Sequence, residues 1–176
     1  MELETQNLLI RPFTILDISD VYLNALNEDE IIGLTEARHK KWDIENVKHF
    51  INNGNLDNSF LLAVILKHNN KPIGNIRLFN INNNNHNNAE LSFLFYDRNE
   101  WGKGYATESL NIVITYAFDN LQLHRIFADY YSINTGSAKV FKKLDFKIEG
   151  IFVDHFKKDN NQYIDSIRVA KLKTKK

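Results

Sequence analysis

The run from Ala89 to Glu108 constrains the fold more than any other stretch of this chain. It opens with Ala89-Glu90-Leu91-Ser92-Phe93-Leu94-Phe95-Tyr96, apolar and aromatic enough to read as a strand. A polar loop, Asp97-Arg98-Asn99-Glu100, leads into Trp101-Gly102-Lys103-Gly104-Tyr105-Ala106-Thr107-Glu108. Helical spacing then takes over, with Leu110, Ile114, Ala117 and Phe118 on one face. Small residues at 102, 104 and 106 let the main chain approach a ligand closely. The first amides of the helix have no partner within it, and the helix dipole favours negative charge there. Strand, turn and helix in this order make a candidate site for a pyrophosphate, with Lys103 adding a positive side chain. Two common phosphate loops are excluded. Gly-x4-Gly-Lys-Ser/Thr is absent, and Gly-x-Gly-x-x-Gly fails at Thr107. A tight turn whose glycines serve packing alone would explain Gly-Lys-Gly equally well, so the surrounding chain has to decide.

Periodicity predicts further strands over residues 8–13, 60–68, 73–81, 125–131, 146–153 and 163–171, and helices over 17–27, 43–52 and 136–144. Thr14 or Asp17 is the candidate cap of the first helix and Asp43 that of the second. Residues 69–72 read as a hairpin turn, 82–88 as a polar loop and the last residues as a basic tail. The order βααβββαβαββ interrupts its strands too irregularly for a doubly wound parallel sheet. It predicts an α/β chain of mixed α+β type, one domain over residues 1–176, with a mixed sheet covered by helices on both faces.

Charge narrows the function classes. Lys plus Arg (22) equals Asp plus Glu (22), so no global field draws in nucleic acid or an anionic membrane. Neither is expected as a partner, and any polyanion site must be local. With no cysteine, thiol nucleophiles and Cys-ligated metals are excluded. The six histidines are scattered without the His-x-x-x-His spacing, so no metal is expected. The start does not read as a signal peptide, and apolar runs such as 60–66 fall short of the roughly 20 residues that span a bilayer, which points to the cytoplasm.

In its longer context the turn resembles the GNAT superfamily of N-acetyltransferases, which carries Gln/Arg-x-x-Gly-x-Gly/Ala here. Gly104 and Ala106 match the two small positions, while Trp101 departs from Gln or Arg. Trp-Gly-Lys-Gly-Tyr-Ala-Thr-Glu is similar to the bacterial branch that contains the ribosomal-protein N-terminal acetyltransferases. Other segments agree: Leu9-Ile10-Arg11-Pro12-Phe13 with Asp17, Ile73-Gly74-Asn75-Ile76, Asn134-Thr135-Gly136-Ser137 through Lys143-Leu144-Asp145-Phe146, and Glu149-Gly150. The resemblance implies a splayed, mostly antiparallel sheet of about seven strands. It also implies acetyl transfer from acetyl-coenzyme A to a primary amine within a ternary complex.

Residue by residue, the resemblance implies that Trp101, Gly102, Lys103, Gly104, Tyr105, Ala106 and Thr107 hold the pyrophosphate. It implies that main-chain groups of Leu94, Phe95 and Tyr96 hold the pantetheine arm, with the Leu94 region polarising the thioester. Transfer to an amine needs a base for the ammonium, polarisation of the carbonyl and a proton for the departing thiolate. Glu90, on the strand entering the turn, is the candidate base, with a solvated or ion-paired strand carboxylate as the plain alternative. Many relatives protonate the thiolate with a tyrosine four residues beyond Ser137. Here that residue is Phe141, which leaves Ser137 or a relayed water; a helix-start hydroxyl bonding local amides is the plain reading of Ser137. Asn134 is expected to bond the cofactor arm. Asp145 replaces a usual glycine where a left-handed backbone is needed. The acceptor is open between a small amine, such as an amino sugar, and a protein N-terminal amine. A homodimer is admitted, although no interface pattern is legible. The competing class is a non-catalytic coenzyme A-binding module with the same fold.

Overall fold

The computed structural model of the chain describes residues 1–82, 85–158 and 161–174. Eight strands form one sheet: β1 (Leu3–Glu4), β2 (Leu8–Pro12), β3 (Phe60–Leu66), β4 (Lys71–Asn82), β5 (Asn88–Phe95), β6 (Arg125–Tyr131), β7 (Lys147–Lys157) and β8 (Tyr163–Leu172). Their spatial order is β1-β2-β3-β4-β5-β6-β8-β7. Every neighbouring pair is antiparallel except β5 and β6, which run parallel. The expected mixed, mostly antiparallel sheet is present, with the two-residue β1 added at one edge.

Among the described residues, five α-helices accompany it: α1 (Asp20–Ala25), α2 (Asp29–Ile32), α3 (Ile44–Gly54), α4 (Tyr105–Asp119) and α5 (Thr135–Lys143). The expected first helix is shorter than its periodicity suggested, because residues 15–17 form a separate 3₁₀ turn. Neither Thr14 nor Asp17 caps α1. Ser19 does, accepting from the Tyr22 N–H at 3.2 Å. Asp17 is instead buried under β2, gripped by both Arg11 terminal nitrogens at 2.6 and 2.8 Å and by Thr14. Burial alone would push its carboxyl up; the Arg11 and Thr14 bonds outweigh that and hold it below its ordinary value. Asp43 caps α3 as expected, accepting from Asn46 N–H at 2.8 Å. Pro72 lies inside β4 rather than in a turn. It is tolerated where the β3–β4 register shifts between Val64 and Ile65. Of the expected polar loop, Asn83 and Asn84 lie outside the described residues, as do Lys175 and Lys176 of the expected basic tail.

The two faces of the sheet carry separate cores. On one, α4 and α5 bury Leu110, Val113, Ile114, Ala117, Phe141 and Leu144 against Leu62, Val64, Leu91, Ile126 and Ala128. Each such aliphatic side chain contributes about 1.5–3 kcal/mol on full burial. On the other, α1 to α3 bury Tyr22, Ile32, Val47 and Ile51 against Leu61, Ala63, Ile65 and Tyr96, which lie on β3 and just past the end of β5. The second set covers the β2–β5 half of its face, while the β6–β8–β7 half carries polar and aromatic side chains. That asymmetry creates the site.

Candidate active site

The sheet opens where its one parallel pair among the described residues, β5 with β6, ends. Ladder contacts join Asn88, Ala89 and Glu90 to Arg125, Ile126 and Phe127, and no pairing between the two strands continues beyond them. From Leu91 to Phe95 one edge of β5 therefore has no strand beside it. Main-chain groups alternate along a strand, and hydrogen bonds at both ends fix the phase. Arg125 N–H donates to Asn87 O at 3.2 Å across the parallel junction, and Tyr96 N–H donates to Ile73 O at 3.1 Å on the β4 side. Odd-numbered residues thus aim their N–H and C=O groups into the gap, and even-numbered ones aim them at β4. The open edge belongs to Leu91, Phe93 and Phe95. The expected trio of Leu94, Phe95 and Tyr96 is split: the main chain of Leu94 and the Tyr96 N–H are turned toward β4. The side chain of Leu94 packs in the α1–α3 cluster, and the Tyr96 ring lies 4.9 Å from that of Tyr22.

The turn past the end of β5 comes back to this open edge. Trp101 donates its indole N–H to the Phe95 carbonyl at 2.8 Å, so the residue that departs from the family pattern ties the turn to the gap. Gly102 (φ 78°) and Gly104 (φ 90°) both take the left-handed backbone that favours glycine. A Cβ built on either would meet no atom within 4 Å, so both open outward. The intrahelical ladder begins with Glu108 N–H donating to Gly104 O at 3.0 Å. The amides of residues 102–107 have no hydrogen-bond partner among the described residues. The result is a run of outward donors at the positive end of a 15-residue helix, with empty space above it. A diphosphate ester fits this cradle. The Lys103 ammonium pairs with Glu100 at 2.8 Å, which raises its pKa and keeps it cationic beside the turn.

On the far side of the gap, Asn134 caps α5 by accepting from Ser137 N–H at 3.0 Å. Its side-chain amide nitrogen is left to donate elsewhere. Ser137 stands one turn before Phe141, on the same helix face. Phe141, near the C-terminal end of α5, packs against Phe93 with ring centroids 5.5 Å apart, which sets that half of the helix against β5. Tyr130 stacks on Phe141 with ring centroids 5.7 Å apart, and burial raises its pKa. Asp145 does adopt the left-handed backbone, at φ 60°.

Glu90 sits at the vertex of the gap, on the face left open by α1 to α3. Its carboxylate accepts from the Asn80 side chain at 3.2 Å. Burial is the main influence and pushes its pKa up. Asp129 adds to the rise, while the Asn80 bond, Arg168 and Arg77 oppose it. Around it, Arg168 grips Asp129 through two bonds of 2.9 and 2.6 Å and lies over Phe127 and Phe152. At the outer end Tyr131 donates to Glu36 and accepts from Arg38 Nε at 3.2 Å. Arg38 also donates to the Lys157 carbonyl. These bonds strap the 3₁₀ turn Glu36–His39 across to β6 and β7 and close one end of the open face. No residue in this set had a local sequence signal beyond Glu90, because strand pairing alone brings them together. Two shallow surface depressions, one near Phe13 and Asn55 and one beside Glu108, lie away from the gap. Among the described residues, no cluster of three metal-ligating side chains occurs and no helix is long and apolar enough to cross a membrane.

Comparison with known proteins gives this geometry a context. A family profile described as "Acetyltransferase (GNAT) domain" matches residues 7–147. The chain is 30% identical over 160 residues to YnaD of Bacillus subtilis (strain 168), named as an uncharacterized N-acetyltransferase, covering 91% of both chains. It superposes on the ribosomal-protein-S5-alanine acetyltransferase of Vibrio fischeri with a TM-score of 0.81 at 24% identity, covering 98% of this chain and 96% of that one. A TM-score of 0.81 at 22% identity relates it to the spermidine N-acetyltransferase of Vibrio cholerae, solved with CoA and spermine, over 96% of each chain. Those two neighbours are named for unlike amines, so the shared fold does not choose an acceptor.

Proposed function

Because the chain belongs to the GNAT acetyltransferase family and draws its acetyl group from acetyl-coenzyme A, we propose that it acetylates a small primary amine by direct transfer at the gap between β5 and β6. The observation that carries this reading is the meeting of three features at one place: outward amides at the turn, an unpaired main-chain edge, and a carboxylate of raised pKa. Acetyl-coenzyme A, when bound, supplies an acyl group activated as a thioester. The amides of residues 102–107 hold its pyrophosphate, and the open edge of β5 orders its arm as a further strand would. Main-chain N–H groups of Phe93 and Phe95 face the gap and stabilise the negative charge that builds on the carbonyl oxygen. Glu90 takes the proton from the acceptor ammonium, directly or through one water, so that the neutral amine attacks. Asn134 bonds the arm through its amide nitrogen. Ser137 delivers a proton to the thiolate, its own or one relayed by water.

The strap from Glu36 and Arg38 to Tyr131 and Lys157 favours a small acceptor over a protein N-terminus, since it narrows the end where a polypeptide would have to leave. The test is release of free thiol from acetyl-coenzyme A. Purified protein should release it only when a suitable amine is present, in one-to-one ratio with acetylated amine. Tight cofactor binding without turnover across a broad panel of amines would support a binding module instead.

A further inference from the structure

Arg77 is held differently from four of the other arginines. Arg11, Arg98, Arg125 and Arg168 each have a carboxylate within 4 Å. Arg77 has none among the described residues, although it is half-buried. Its guanidinium lies over the rings of Phe79 (4.7 Å) and Phe50 (5.7 Å), and Nε reaches Ser59 Oγ at 3.4 Å. The two terminal nitrogens have no partner there and are not sealed in the core. Burial weighs against the charge, and Glu90 is the only carboxylate whose field supports it. A desolvated guanidinium with two uncommitted, coplanar donors is the usual receptor for a carboxylate or phosphate.

Its position ties it to the reaction. Arg77 pairs in register with Ser92, and Glu90 with Phe79, so Arg77 and Glu90 are diagonal neighbours on one face of β4 and β5. Diagonal neighbours have Cα atoms about 7–8 Å apart, close enough for each group's field to act on the other. The other charges on this half of the face cancel in pairs, Asp129 with Arg168 and Glu149 with Arg125. The face therefore offers one carboxylate beside the gap and, at the diagonal position of the neighbouring strand, a cation with no ion-pair partner among the described residues.

Resting on the acetyltransferase reading, we propose that the acceptor carries an anionic group, carboxylate or phosphate, a few bonds from the amine, and that Arg77 binds it while the amine faces Glu90. Matched pairs test this: phenylalanine with phenethylamine, serine with ethanolamine, and glucosamine 6-phosphate with glucosamine. Each is titrated calorimetrically into the protein–CoA complex and assayed for acetylation with acetyl-coenzyme A. At least one anion-bearing member should bind ten-fold or more tightly than its partner, and which pair responds separates carboxylate from phosphate. Arg77→Met should abolish that preference through KM rather than kcat while coenzyme A affinity is unchanged. Arg77→Lys should restore part of it, a recovery that a purely structural role for the Phe50–Phe79 stack does not provide. Equal or better binding of every anion-free partner, spermidine included, would overturn the proposal, as would an unaltered preference in Arg77→Met. Binding decides the anion site with or without turnover, whereas binding without turnover counts against the acetyl-transfer reading alone.

Discussion

At the scale of single residues, Glu90 carries the most chemistry. Its carboxylate is pushed above the ordinary glutamate value, mainly by burial, so it holds its proton to higher pH than an exposed glutamate does. Turnover should rise with pH along a limb displaced upward from that value. Glu90→Gln should lower kcat by about 10²- to 10⁴-fold, the usual worth of general-base catalysis, and abolish that limb with little change in coenzyme A affinity. An unchanged pH profile would remove Glu90 from the mechanism. Stability carries the opposite sign. A carboxyl whose folded pKa is raised stabilises below its unfolded pKa and loses that contribution as pH rises through the folded one. The glutamine variant should therefore melt at or above the wild-type temperature at neutral pH, and lose that advantage in acid. Glu90 was legible in the sequence because it lies on the strand that enters the turn. Asn80, Asp129, Arg168 and Arg77 were not, because they reach it only through pairing with β4, β6 and β8.

At the scale of elements, the turn between β5 and α4 is where sequence and structure agree most closely. The glycines at 102 and 104 do occupy positive φ, and the helix they open has its expected length and apolar face. What sequence could not fix was the phase of β5. Alternation alone does not say which residues face a gap until a neighbour's hydrogen bonds are known, and of the expected Leu94, Phe95 and Tyr96 it is Phe95 whose main-chain groups turn to the gap. The 3₁₀ turns near Ile15 and Glu36 were also illegible, being held by distant partners such as Arg11 and Tyr131. Gly104→Val tests the element directly. A Cβ there meets no protein atom, so the cost to folding is confined to backbone strain of about 1–2 kcal/mol. The added side chain projects into the space above the amides, so coenzyme A affinity should fall by two orders of magnitude or more while the fold survives. Wild-type affinity in this variant would place the pyrophosphate elsewhere.

At the scale of the whole molecule, the sheet is one surface used twice. Its α4–α5 face is packed with apolar side chains, and the opposite face is covered over only half its width, leaving Glu90, Arg77 and the Asp129–Arg168 pair at the border of the covered half. Zero net charge suits an acceptor recognised by a few placed groups rather than by a broad field. The outer strand β7 exposes Ile148, Ile151 and Val153 and has no further strand on its outer side among the described residues. The fold class was readable because element order and the resemblance agreed. The uncovered half-face was not, because it depends on how far three short helices reach across strands distant in sequence.

The most direct test is a crystal structure with acetyl-coenzyme A bound. Pyrophosphate oxygens should lie within hydrogen-bond distance of amides in residues 102–107, with the arm against the Phe93–Phe95 edge and the acetyl group beside Glu90. A nucleotide seated on another surface, with that turn and the β5–β6 gap left empty, would contradict the account.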